Sequence, residues 1–526
     1  MHEIVTLQLG QRSNYLATHF WNAQESYFTY GDEEQSPIDH NIHFRQGIGA
    51  DGSDTFTPRT VIYDLKGGFG SMRKINALYE MEDEPGLQQG LWDGGKAIQR
   101  DPTIEKSDYQ RSLDEGLPPP PLTTETVRYW SDFNRVFYHP RSIVQLNDYE
   151  LNSKLMPFEN WDMGEELFSS LDKEHDLLDR DLRPFAEECD QLQGLQLITS
   201  ADDAWGGFAS RYLDKIRDEY GKTSVWVWAI EDGAKDQRSK LLQRMTNSAR
   251  SVHEMATMAS LYIPLSDSPA FVPDWINFNQ GSRWHTSALL CTALESMTIP
   301  SRLRNGKLET FSQIEGPLNV NGNQRIANLR FSVDDPKKLD AHDTSLGSGI
   351  AARGEGRTVN PTGNTSDSEE EDAGAIKDLD IDLLPWAAAP VSRTRRRTKR
   401  HVFGRVEVSR GESGDSESSL ERDAAYRARQ RLAGRPITER FHSGLKFPLL
   451  DSFPRIFKMS SSDEQSVGVY SSLSTESSVA VRIEALRGIV GKNVGLDERE
   501  TLSNGLDEIC EAYEEGWHSG SDEDDD

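Results

Sequence analysis

Apolar and polar positions alternate from the first residue. Met1-His2-Glu3-Ile4-Val5-Thr6-Leu7-Gln8-Leu9 reads as a strand that stops at Gly10, and Leu16, Phe20 and Trp21 then recur at helical spacing. Strand, glycine turn and helix follow one another. Thr60-Val61-Ile62-Tyr63-Asp64-Leu65 predicts a second strand, closed by Lys66-Gly67-Gly68-Phe69-Gly70-Ser71, with a helical run through Ile75, Leu78 and Tyr79. Leu195 to Ser200 predicts a third, followed by Ala201-Asp202-Asp203-Ala204-Trp205-Gly206-Gly207-Phe208 and a helix over Ala209 to Tyr220. Val225-Trp226-Val227-Trp228-Ala229-Ile230 is apolar on both faces, the signature of a strand buried in a parallel sheet. Strands alternating with helices imply an α/β, doubly wound domain whose ligand-facing loops lie at the C-terminal ends of its strands.

Beyond that repeat the pattern changes. We expect residues 1–240 to form the first domain, with an insert over about 80–160 that carries Pro118 to Pro121, a stiff spacer or, alternatively, an SH3-type ligand. Residues 241–334 begin a second α/β domain, with a buried helix over Ala288 to Met297 and a strand at Leu329 to Val333. Over 335–436, Gly, Ser, Asp, Arg and Thr dominate, so this stretch is expected to be a disordered low-complexity insert. Residues 437–505 should complete the second domain, Val479 to Val490 packing back onto it, and 506–526 form an acidic tail.

Composition narrows the function classes. The 526 residues suffice for two to four domains at roughly 100 to 200 residues each. A net charge of -29 argues against a general nucleic-acid or membrane-surface binder. Mean hydropathy is -0.66, and no apolar run approaches the ~18 residues of a membrane-spanning helix. Cys189, Cys291 and Cys510 are widely separated and lack metal-ligand spacing, which fits a reducing compartment. A first strand at the N-terminus is neither an apolar signal nor an Arg-rich presequence, so any organelle role is expected from the cytosolic side.

Met1-His2-Glu3-Ile4-Val5 through Gly10-Gln11, Asn14 and Phe20-Trp21 resembles the opening of tubulins. Pro58-Arg59-Thr60-Val61 with Asp64-Leu65 resembles the second tubulin strand, and Gly194 to Lys222 resembles the third strand with its loop and helix. The block Tyr129-Trp130-Ser131-Asp132-Phe133-Asn134-Arg135-Val136-Phe137-Tyr138-His139-Pro140 is instead similar to the Misato proteins. This resemblance implies a two-domain tubulin-like fold and a role in partitioning mitochondria and mitochondrial DNA through protein partners, cytoskeletal or on the mitochondrial surface. It implies location at the mitochondrion, peripheral on the cytosolic side, and in the cytoplasm.

It also implies where GTP and Mg²⁺ would bind, if they bind. Gln11, Asn14, Asp64, Gly206 and Gly207 are the candidate nucleotide contacts, since glycine loops and a helix N-terminus present N–H groups to phosphate. The plainer alternative is a βα turn with Asn14 as its cap. In the third loop the tubulin glycines give way to Asp202, Asp203 and Trp205. A like-charge contact with phosphate at ~4 Å costs on the order of 1 to 4 kcal/mol, although bound Mg²⁺ would offset it. No GxxNxDxxE hydrolysis loop follows Ile230; Asn160 to Glu165 precedes the phosphate loop and reads as a helix start. No catalytic residue or metal centre is therefore assigned. Lys66 is either a phosphate contact or a solvated lysine. The six cations of Arg393 to Arg400 suit anionic lipid, a nuclear address or a solvated linker, and Ser366 and Ser368 beside acidic residues are candidate phosphorylation sites.

Overall fold

A computed structural model describes residues 2–29, 35–50, 52–79, 104–233, 237–304, 309–319, 321–333, 379–385, 401–411, 436–458 and 465–514. Arg393 to Arg400, Ser366 and Ser368 lie outside them.

Six strands form the first sheet: β1 (Glu3–Leu9), β4 (Thr60–Lys66), β5 (Ile143–Glu150), β6 (Leu192–Ser200), β7 (Ser224–Glu231) and β8 (Leu261–Ser266). Their spatial order is β5-β4-β1-β6-β7-β8, with every pair parallel. A short hairpin of β2 (Phe44–Ile48) and β3 (Asp54–Pro58) stands apart. β1 is buried along its whole length, so its residues feed two cores. Ile4 faces α1 (Gln11–Ser26), whereas Val5, Leu7 and Leu9 face the layer that holds α3 (Trp161–His175), α5 (Ala204–Glu219) and α6 (Arg238–Met258). Helices cover both faces, as a buried parallel sheet requires.

A second, mixed sheet runs β10-β9-β15-β11-β12, formed by β9 (Asn328–Val333), β10 (Ile381–Asp382), β11 (Val402–Arg410), β12 (Ile437–Ser443) and β15 (Val469–Glu476). A two-stranded pair, β13 (Phe447–Pro448) and β14 (Ser466–Val467), accompanies it. Between the sheets runs α7 (Arg283–Thr298), buried almost everywhere from Trp284 to Thr298. Buried on every face, α7 shares its core with α1 on one side and β9, β11 and β15 on the other.

Several boundaries differ from the sequence expectation. The first sheet continues past 240, because α6 and β8 complete it. The insert over 80–160 contributes its edge strand, β5. β10 and β11 fall inside the 335–436 stretch expected to be disordered, where Val406 and Val408 are buried on alternate positions of a central strand. No helix forms over 71–79: Gly67 and Gly70 adopt φ of 83° and 57°, and Asn76 turns its own backbone by accepting from Leu78 N–H at 3.1 Å. The C-terminal helices, α9 (Ser478–Asn493) and α10 (Leu496–Glu511), pack on α6 of the first domain rather than on the second sheet. α10 also carries ordered structure beyond residue 505.

Candidate functional site

The order β5-β4-β1-β6-β7-β8 reverses direction between β1 and β6, and a doubly wound sheet opens its ligand crevice at that point. Gly10 ends β1 there with φ 82°, and α1 begins at the next residue. The amides of Gln11 and Asn14 turn inward. Gln11 Nε2 donates to Asp64 Oδ2 at 2.6 Å and to the Gly68 carbonyl at 2.8 Å, and Asn14 Nδ2 donates to the same Asp64 oxygen at 2.7 Å. Trp130 Nε1 adds a third donor at 3.2 Å, and Leu65 N–H reaches Asp64 Oδ1 at 2.9 Å. Asp64 is fully buried. Burial pushes its carboxyl up to about 6, although these four donors pull the other way. A Cβ on Gly68 would fall on that carboxylate, so the glycine turn after β4 is shaped around Asp64.

Across the crevice, the loop after β6 is held by arginines. Arg12 pairs with Asp202 at 2.5 Å and with Asp232 at 3.2 Å, and Arg244 of α6 pairs with Asp232 at 3.0 Å and Asp202 at 3.5 Å. Asp202 Oδ2 also accepts from Asp232 N–H at 2.9 Å. Asp203 caps α5 by accepting from Trp205 N–H at 2.9 Å, and burial raises its carboxyl to about 6 against the pull of Arg12. The Trp205 indole lies directly over Gly10: a Cβ there would sit 2.6 Å from its Cε2. Phe158 backs the indole edge-on at 5.3 Å.

The structure therefore brings Gln11, Asn14 and Asp64 together and places Gly206 and Gly207 elsewhere. Both glycines lie in the first turn of α5. A Cβ on Gly206 would meet the Ala201 carbonyl at 2.9 Å, and one on Gly207 would come within 3.0 Å of Glu165 N–H in α3. Their small size serves helix packing. Lys66 is exposed at the end of β4. Asn160 is the N-cap residue of α3. Sequence reasoning missed Arg12, Arg244, Asp232 and Trp130 as parts of the site. Arg12 carried a usable signal, a cation in the same loop as Gln11 and Asn14; Arg244 and Asp232 carried none.

These residues do not fit a nucleotide triphosphate. The side-chain amides of Gln11 and Asn14 are spent on Asp64 and on backbone carbonyls, the guanidiniums on carboxylates, and the indole covers the glycine turn. A cavity of about 150 Å³ remains beside the cluster, bordered by Asp202, Glu231, Arg244, Ser266 and Arg482. Ordinary ligand pockets measure roughly 300 to 1,000 Å³. Among the described residues no group of three or more His, Cys, Asp or Glu side chains is placed to hold a metal ion, and no helix is long and apolar enough to cross a membrane.

Residues 2–115 match the Misato Segment II tubulin-like domain, and residues 119–303 match the Tubulin domain. Over 529 residues the chain is 51% identical to protein dml1 of Aspergillus niger, covering 100% of each. This chain belongs to the Misato family of tubulin-like proteins. Protein dml-1 of Neurospora crassa is 48% identical over 544 residues, again across 100% of both chains. Protein dml1 of Schizosaccharomyces pombe is 33% identical over 352 residues, 63% of this chain and 73% of that one. In this Misato-family chain, Trp130 ties the block that resembles Misato proteins to Asp64 of the tubulin-like strand, so the insert is part of the site's architecture.

Proposed function

We propose that this chain partitions mitochondria and mitochondrial DNA between dividing cells through protein contacts, working at the cytosolic side of the organelle. Membership of the Misato family supports the organelle role, which the sequence resemblance implies. Contact rather than nucleotide chemistry is supported by one observation above all: the Trp205 indole seated on Gly10 where a phosphate would approach. The test is depletion of the protein followed by counting mitochondrial DNA in mother and daughter cells, with protease treatment of isolated mitochondria to place the protein. Unchanged inheritance after depletion would sink the role, and full protection from protease would sink the cytosolic placement.

A second reading, a GTP-binding and self-assembling protein of the tubulin class, draws on the retained Gln11, Asn14 and Asp64 cluster. Filaments that appear in electron micrographs only when GTP is added would favour it.

A further inference from the structure

A magnesium-bound polyphosphate at the crevice of a doubly wound sheet would do three physical jobs. It would join the loop after β1 to the loop after β6, balance the charges facing it, and fill the gap between helix N-termini. We propose that Arg12, Arg244 and Trp205 do these jobs from within, so that this chain carries a built-in substitute for a nucleotide and its cation. The inference deepens the contact-based reading above and rests on it.

Each job has its residue. Arg12 leaves the first turn of α1 and reaches both Asp202, after β6, and Asp232, after β7, so one side chain joins three loops. Arg244 of α6 meets the same two carboxylates from the far side. Asp202 is 3% exposed, and both guanidiniums meet it at that depth, where an unpaired carboxylate is costly. Trp205 fills the volume, its indole closed between Gly10 and Phe158. The arrangement continues outward: Glu231, next to Asp232, pairs with Arg482 of α9 at 2.5 Å, and Arg482 also donates to the Pro385 carbonyl. The loops of the crevice are thereby tied to the C-terminal helices. Their order should not depend on any nucleotide.

Three measurements on the full-length protein test this. First, equilibrium binding of GTP with excess Mg²⁺, and melting with and without it, should show no saturable binding and no shift of the transition. Binding at micromolar concentration overturns the proposal. Second, Arg12→Met should melt several degrees lower than the native protein, because Asp202 and Asp232 lose a partner. Equal melting overturns it. Third, Arg12→Met combined with Asp202→Asn should recover at least half of that loss, since the abandoned charge is gone; purely additive losses overturn the pairing. The organelle role fails separately. GTP binding by a protein still needed for mitochondrial inheritance sinks the built-in substitute alone. Normal inheritance after depletion, with Arg12→Met destabilised as expected, sinks the organelle role alone.

Discussion

Two clusters of charged side chains anchor this molecule, and they solve different problems. At the crevice, Arg12 and Arg244 face Asp202, Asp203 and Asp232, and water still reaches the edge, with Arg12 17% and Asp232 26% exposed. Deep between the sheets, Glu295 of α7 meets Arg302 at 2.7 Å and pairs with Arg410 of β11, all three fully enclosed. Burial would push the Glu295 carboxyl up, but Arg410 and Arg302 outweigh it and hold it below its ordinary value. Gln24 of α1 and Tyr27, which follows that helix, donate to the same carboxylate at 3.2 and 3.1 Å. Arg410 also donates to the Leu445 and Lys446 carbonyls at 2.8 and 2.9 Å and to the hydroxyls of Tyr27 and Ser296 at 2.9 and 3.3 Å. The inner cluster carries two cations for one anion and satisfies the excess with dipoles. The crevice cluster has the opposite imbalance, two guanidiniums facing three carboxylates. The first registers three parts of the fold against one another; the second stands at the position of a ligand.

The comparison breaks most easily at its inner member. Glu295→Ala leaves two enclosed guanidiniums without their anion and should cost about 3 to 5 kcal/mol in denaturant unfolding. A loss under ~1 kcal/mol would mean that water enters the core and that the two clusters are alike. Trp205→Ala should cost about 3 kcal/mol, near the low end for a buried tryptophan because its neighbours can settle towards Gly10.

Asp64 sharpens the contrast through pH. Its carboxyl is raised from 3.8 to about 6, so the folded state prefers it protonated. Its contribution to stability is therefore fullest below pH 3.8 and is lost as pH rises through about 6, a change on the order of 2 to 3 kcal/mol. Asp64→Asn lacks that titration, so it should gain stability relative to the native protein between pH 4 and pH 7. Parallel stability curves for the two proteins would refute this.

Salt separates the clusters by a smaller effect. In ~1 M NaCl the Debye length falls to about 3 Å, so the deficit of Arg12→Met should shrink while that of Glu295→Ala stays. Smallest of all, Arg45→Met removes a two-pronged contact with Glu188 on the surface and should change stability by less than about 1 kcal/mol.

What the sequence revealed follows from the same physics. β1 was legible from its alternation, β4 and β7 from the apolar runs that strands covered on both faces tend to show, β6 from its apolar residues before the loop at Ala201, and α7 from the apolar core of Ala288 to Leu290. β5 and β8 are the two edges of that sheet, and their Gln145, Asn147, Asp148 and Pro264 hide the pattern. β11 escaped because Gly404, Arg405, Glu407 and Ser409 dilute its two buried valines in a stretch of similar composition. Gln11, Asn14 and Asp64 could be read from short motifs. Their meeting with Trp130 spans 66 residues, and that of Arg12 with Asp232 spans 220, distances over which no local pattern carries information.

α7 has one more consequence. Because its opposite flanks belong to different sheets, neither half of the chain owns a finished interior. Cut anywhere in the loop before Arg283, each fragment would present a long greasy wound, and only the other fragment has the shape to dress it.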